Sequence, residues 1–152
     1  MTITQDIIDA LNNDIQLITS GDGYNTDIVK CHKVAKELKN LNPDEFDSFY
    51  VQGGDSKSDE AEGLLKWTWL VGIEFYLSVD SDKDEGLLSQ KAEKLKEDIH
   101  SLWVHWLNND GDTTLGSIDS LEQCTPRTYF PYFDNGDTRG VFDVIFEIIY
   151  NE

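Results

Sequence analysis

Any chemistry in this chain would have to come from carboxylates. The densest run, Asp80-Ser81-Asp82-Lys83-Asp84-Glu85-Gly86, sets acids at alternate positions and copies positions one, three and five of a calcium loop. Such a loop needs glycine sixth and a bidentate glutamate twelfth, where this chain has Glu85 and Lys91. The run is therefore expected to be a charged strand-to-helix turn. Asp22, Asp110-Gly111-Asp112 and Asp134-Asn135-Gly136-Asp137 are acidic turns of the same kind, with weak divalent-ion binding as a minor extra. No metal site, no cofactor and no catalytic residue is predicted.

Histidine and cysteine offer no better start. His100 and His105 are five apart on an expected helix, about 140° around its axis, so they do not share a ligand face. Cys31 and His32 are neighbours on an expected strand and point to opposite faces, which argues against a thiol–imidazole nucleophile. Cys31 and Cys124 are isolated, and both are expected to be small buried thiols in a reducing compartment. Phosphate loops, dinucleotide fingerprints, nucleophile elbows and zincin motifs are absent from the sequence. An enzyme is not the expectation.

The elements that would position these residues are organised around Trp67–Val79. Every odd position there is large and apolar: Trp67, Trp69, Val71, Ile73, Phe75, Leu77 and Val79. That period predicts a long central strand with one buried face. Its even face, with Leu70, Gly72 and Tyr76, is too apolar for plain solvent and is a candidate contact surface. Ahead of it, Thr2 and Gln5 form a capping-box start to a helix with the stripe Ile3, Ile7, Ile8, Leu11, Ile15, Ile18. A short strand is expected around 27–34 and a brief one at Phe49-Tyr50-Val51, closed by Gly53-Gly54. Residues 36–47 are polar and turn-rich, and Asp55 to Glu62 is expected to be a charged surface loop that includes Asp59 and Glu60.

After the acidic turn, Leu88, Ala92, Leu95, Ile99, Leu102, Trp103 and Trp106 form the stripe of a second helix, with Asp84 and Glu85 at its positive end. A fourth strand is expected between Gly116 and Gln123. A stiff segment, Pro126 to Tyr132, then leads to a turn at Asp134–Asp137 and a last strand, Val141 to Tyr150, apolar on both faces. The predicted class is α+β: one mainly antiparallel or mixed sheet with two helices on one face, in the order α-β-β-β-α-β-β. Length supports one domain. The four tryptophans belong to the core where helix crosses strand. Tyr129, Phe130, Tyr132 and Phe133, four aromatics in five positions, cannot all face one core, and some are expected at a protein contact.

Thirty acidic against twelve basic side chains give −18. A tight grip on duplex nucleic acid is excluded, because no basic footprint exists to release counterions. The N-terminal residues lack a basic region followed by an apolar run, so no secretory signal is expected. No apolar run approaches the roughly twenty residues a bilayer needs.

The order of elements and the C-terminal half resemble the tail terminator proteins of long-tailed bacteriophages, the family of the lambda minor tail protein U. Three stretches carry the resemblance: Trp67 to Trp106; Ile118 to Gly140; and Val141 to Glu152, where an apolar strand closes on a tyrosine and a glutamate. Residues 36–62 have no clear counterpart. The resemblance implies a virion protein, assembled in the host cytoplasm, that forms a hexameric ring on the head-proximal end of the tail tube. The ring stops tube polymerisation and presents a surface to the head-completion or connector protein, while DNA passes through its lumen. Its implied partners are copies of itself, the tail tube protein and the connector. An acidic lumen would let DNA slide, and mutual repulsion predicts a monomer alone at low salt. The contact candidates are Asp55, Asp59, Glu60, Leu70, Gly72, Tyr76, Tyr129, Phe130, Tyr132, Phe133, Asp134, Asp137 and Arg139. Competing readings are an acidic DNA mimic that inhibits a nucleic-acid enzyme, another neck or head-completion protein, and a small metal-dependent enzyme using the acidic turns.

Overall fold

The computed structural model describes residues 2–61, 63–79, 87–108, 113–134 and 136–152. Two helices and five strands are seen among them: α1 (Ile3–Ile15), β1 (Lys30–His32), β2 (Ser48–Ala61), β3 (Leu64–Ser78), α2 (Leu88–Leu107), β4 (Leu121–Tyr132) and β5 (Arg139–Asn151). The strands form one mixed sheet in the order β1-β2-β3-β5-β4, with β1 parallel to β2 and every other pair antiparallel. The protein is α+β, in the expected order of elements.

The Thr2 hydroxyl accepts from the Gln5 N–H at 3.3 Å and starts α1 as its sequence requires. Ile7, Leu11 and Ile15 bury the inner stripe of α1, and Leu88, Ala92, Leu95, Ile99, Leu102 and Trp106 bury that of α2. Both stripes meet Trp69, Val71, Ile73, Phe75 and Leu77 of β3 and Phe142, Val144, Phe146 and Ile148 of β5 in a single cluster. The two helices thus cover the same face of the sheet. Asp14, buried on α1, ties that layer together. It accepts from Trp106 Nε1 at 2.9 Å and from the backbone of Thr114 (2.6 Å) and Leu115 (2.7 Å). Asp98 on α2 does the same for the Asn25 and Thr26 backbone, at 2.8 and 3.0 Å.

Several boundaries differ from the sequence reading. The segment from Asp55 onward is not a loop but the second half of β2, reversed into β3 at Gly63 (φ 80°). Its serine and charged residues have little strand preference of their own. They are held by register with β3, where Ser58 pairs Trp67 and Asp59 pairs Lys66. Gly53, at the β2 bulge, leaves room for the Trp69 ring, whose N–H donates to the Gly54 carbonyl at 3.2 Å. The expected fourth strand at 116–123 begins only at Leu121, after a 3₁₀ turn at Leu115–Ser117. It runs through both Pro126 and Pro131, which an edge strand tolerates because its outward N–H groups have no partner to lose. The early strand shrinks to Lys30–His32, and α1 stops at Ile15 while Ile18 stays buried. The acidic turn from Asp80 to Gly86, with Asp84 and Glu85, lies outside the described residues, as do Asp110-Gly111-Asp112.

The connection between parallel β1 and β2 supplies the other layer. Leu41 and Phe46 pack with Tyr76, against Leu38, Tyr50 and Val141, on the face opposite the helices. That cover reaches only one end of the sheet. Leu70, at the other end of the same face, is 42% exposed.

Candidate functional site

The part of the second face that residues 36–47 leave uncovered is the strongest candidate site. Strand alternation places Leu70, Gly72, Glu74 and Tyr76 of β3 there, beside Val141, Asp143, Ile145 and Glu147 of β5. Register sets Glu74 directly opposite Asp143, and Gly72 opposite Ile145 and Gln52. A groove of about 370 Å³ opens over them, lined by Gln52, Gly54, Leu70, Gly72, Glu74, Asp143 and Ile145 among others.

Its electrostatics are unbalanced. Like charges directly opposite on paired strands repel. Glu74 has one good partner: it accepts from the Tyr76 hydroxyl at 2.7 Å, which in turn accepts from the Lys36 N–H at 2.9 Å. Asp143 is left with a buried carboxylate oxygen, Oδ1, that has no hydrogen-bond partner among the described residues. Burial first, and then the Glu74 charge, push its carboxyl up to about 6. The Tyr76 hydroxyl is driven well above its usual range, chiefly by burial. Toward the far end of the face, Arg127 meets Glu147 at 3.3 Å, with both side chains partly in solvent.

The sequence-predicted contact residues divide between this face and elsewhere. Leu70 and Gly72 line the groove. Tyr76 does not offer a contact surface: it is fully buried beneath Leu41 and Phe46 of its own chain. Strand alternation sorts the aromatic segment. Phe130 (43% exposed) and Tyr132 (59%) stand on the open face, while Tyr129 packs on Phe142 at 5.9 Å with Lys96 Nζ 4.9 Å above its ring. Phe133 is half-buried against Gly140. Arg139 sets its guanidinium 4.9 Å over the Phe46 ring, so it clamps the cover of the second face. Asp134 and Asp137 form the β4–β5 turn, where the Asp134 N–H donates to Asp137 Oδ2 at 2.7 Å. Asp55, Asp59 and Glu60 are exposed on the half of β2 that β1 leaves unpaired. Glu74 and Asp143 were not foreseen as a site. Glu74 is the lone acid of β3 and Asp143 one of two in β5, and only the register brings them together.

The remaining titratable candidates have structural partners. His32 is buried, with Nε2 2.8 Å from Ser48 Oγ and its ring edge-on to Tyr76. His100 stacks edge-on with Trp103, centroids 5.4 Å apart. Cys31 and Cys124 are both free thiols. Cys124 lines a second hollow of about 520 Å³ between the end of α2 and β4, but burial pushes its thiol far up, so it is a poor nucleophile. Among the described residues no group of three or more His, Cys, Asp or Glu side chains is placed to hold a metal. No helix there is long and apolar enough to cross a membrane.

Comparison of the chain with protein-family models and with curated proteins finds no match.

Proposed function

We propose that the protein is a structural component of a bacteriophage tail: a tail terminator that assembles as a hexameric ring on the head-proximal end of the tube. One observation carries this reading. The chain has the element order α-β-β-β-α-β-β, with both helices on one face of a mixed sheet, and the described residues leave much of the other face and of the β2 edge beyond β1 uncovered. That division suits a subunit whose fold is complete on one side and whose contacts lie on the other. The charge of −18 also supports it, because a lumen that DNA must slide through has to repel phosphate. Self-repulsion keeps the chain monomeric alone at low salt, and rings form where tube subunits and cations offset it. The ring would bind the tube protein below and the connector protein above.

Electron microscopy of a polymerising tube protein, with and without this chain, tests the reading. Tubes of bounded length closed by a ring are expected; open-ended growth unaffected by the protein would refute it. Native mass spectrometry at low ionic strength adds a second check, since stable rings there would contradict the expected monomer.

A further inference from the structure

We infer that the uncovered groove of the second sheet face is a docking surface for a basic, amphipathic segment of a partner protein. The floor of the groove is apolar and low. Leu70 and Ile145 flank Gly72, where even an added Cβ would meet nothing nearer than Ile145 Cδ1 at 3.6 Å. Its inner wall is anionic. Glu74 and Asp143 face one another across the β3–β5 pair, and Asp143 Oδ1 is shielded from water without a hydrogen-bond donor. Such an arrangement costs the free protein stability and gains it back when a cation is set between the two acids.

The occupant follows from charge and shape. A lysine or arginine head set over Glu74 and Asp143 offsets the charge of both carboxylates. An apolar side chain two positions along an extended segment then falls over Gly72, between Leu70 and Ile145. Entry is open at the β2 bulge, where Gln52, Gly53 and Gly54 line the groove and lie beyond the reach of β1. Nucleic acid does not fit a surface of this sign, and a second copy of a chain with twelve basic and thirty acidic residues fits it poorly. The inference concerns the groove alone: the tail-terminator reading places its contacts on the same face and along the β2 edge, but it does not require a basic segment in the groove. A failed tube assay leaves it intact, and a failed peptide assay leaves the tube reading intact.

The test uses a fluorescein-labelled peptide of alternating leucine and lysine, with fluorescence anisotropy at physiological salt. Two peptides of equal length serve as controls, one alternating serine and lysine, the other leucine and glutamate. The leucine–lysine peptide is expected to bind, and to lose about ten-fold or more in affinity to Glu74→Gln/Asp143→Asn and to Gly72→Val. The serine–lysine peptide should bind about ten-fold more weakly or worse, because the apolar anchor is missing. Thermal melts establish that each variant is folded, and Leu70→Ser replaces Gly72→Val if the valine unfolds the strand. Equal binding of the serine–lysine peptide would reduce the effect to the diffuse field of an acidic chain and overturn the inference. So would unchanged affinity in the variants, or comparable binding of the leucine–glutamate peptide. Concentration-dependent sedimentation of the wild-type chain, abolished by Gly72→Val, would assign the groove to a second copy instead.

Discussion

Where the helices meet the sheet, Asp14 and Asp98 are buried and satisfied, each accepting from at least two backbone N–H groups. Asp47 there pairs with Lys91 Nζ at 2.6 Å and accepts from the Ser78 N–H at 3.2 Å. On the opposite face, Asp143 keeps an unanswered oxygen beside Glu74. The same side-chain type is a tie in one layer and a strain in the other. A buried carboxylate that organises its surroundings belongs to the fold, whereas one that the fold leaves unpaired marks a surface open to something else. The contrast extends to the apolar residues. β3 buries Val71, Ile73 and Phe75 completely toward the helices, yet its other face exposes Leu70.

The largest effect that would break the contrast is in packing. Phe75→Ala should cost about 3–5 kcal/mol, the usual range for deleting a fully enclosed aromatic ring. Leu70→Ala, five positions away on the open face, should change stability by less than about 0.5 kcal/mol. Urea denaturation of both variants reads the difference directly. A loss at Leu70 comparable to that at Phe75 would mean the second face is as structural as the first.

Next in size are the buried ties. Asp14→Asn keeps one acceptor but turns an amide NH₂ either toward the Thr114 N–H, which donates to Oδ1, or toward the Leu115 N–H and Trp106 Nε1–H, which share Oδ2. It should cost about 2–3 kcal/mol, because buried donors are stranded. The unfolding midpoint in urea measures it. A neutral result would show that Asp14 is no more needed than the acids of the open face.

Much of this layered plan was legible in the sequence. The α1 stripe from Ile3 to Ile15, the α2 stripe from Leu88 to Trp106 and the odd face of Trp67–Val79 all carry a period that only one geometry satisfies. What escaped had no local signal. Asp55–Ala61 is polar enough to pass for a loop and is a strand only because β3 lies beside it. Residues 36–47 gave no hint that Leu41 and Phe46 would lid Tyr76, so an aromatic read as a contact proved to be enclosed. The Glu74–Asp143 pair depends on the register of strands some seventy residues apart, which no window of sequence contains. Local pattern predicts what a residue's own element does with it; the open face is made by neighbours.

Smaller, and opposite in sign, is the effect at the unpaired acid. Asp143→Asn should stabilise the free protein by about 0.5–1 kcal/mol at pH 8, because it removes a like charge directly opposite Glu74. The pH dependence gives the sign. The Asp143 carboxyl sits at about 6 in the folded chain against the usual 3.8. Between those values the folded chain holds the extra proton, so wild-type stability falls as pH rises from about 4 through 6. The advantage of Asp143→Asn should therefore be full above about pH 6 and vanish near pH 4. Thermal melts of both proteins across this range decide it. A gain that does not vary with pH would come from something other than the charge.

The smallest effect concerns Arg127, which pairs with Glu147 on the open face at 3.3 Å with about half its side chain in solvent. Exposed pairs of this kind contribute little, so Arg127→Ala should change stability by less than about 0.5 kcal/mol, and by still less near 1 M salt. Its consequence for the groove should be larger than its consequence for the fold. With Arg127 gone, Glu147 adds an uncompensated acid to the same face, and the leucine–lysine peptide should bind more tightly, not less. A stability loss above about 1 kcal/mol in Arg127→Ala would make this pair a tie like Asp14. The two faces would then differ in exposure but not in what their charges are for.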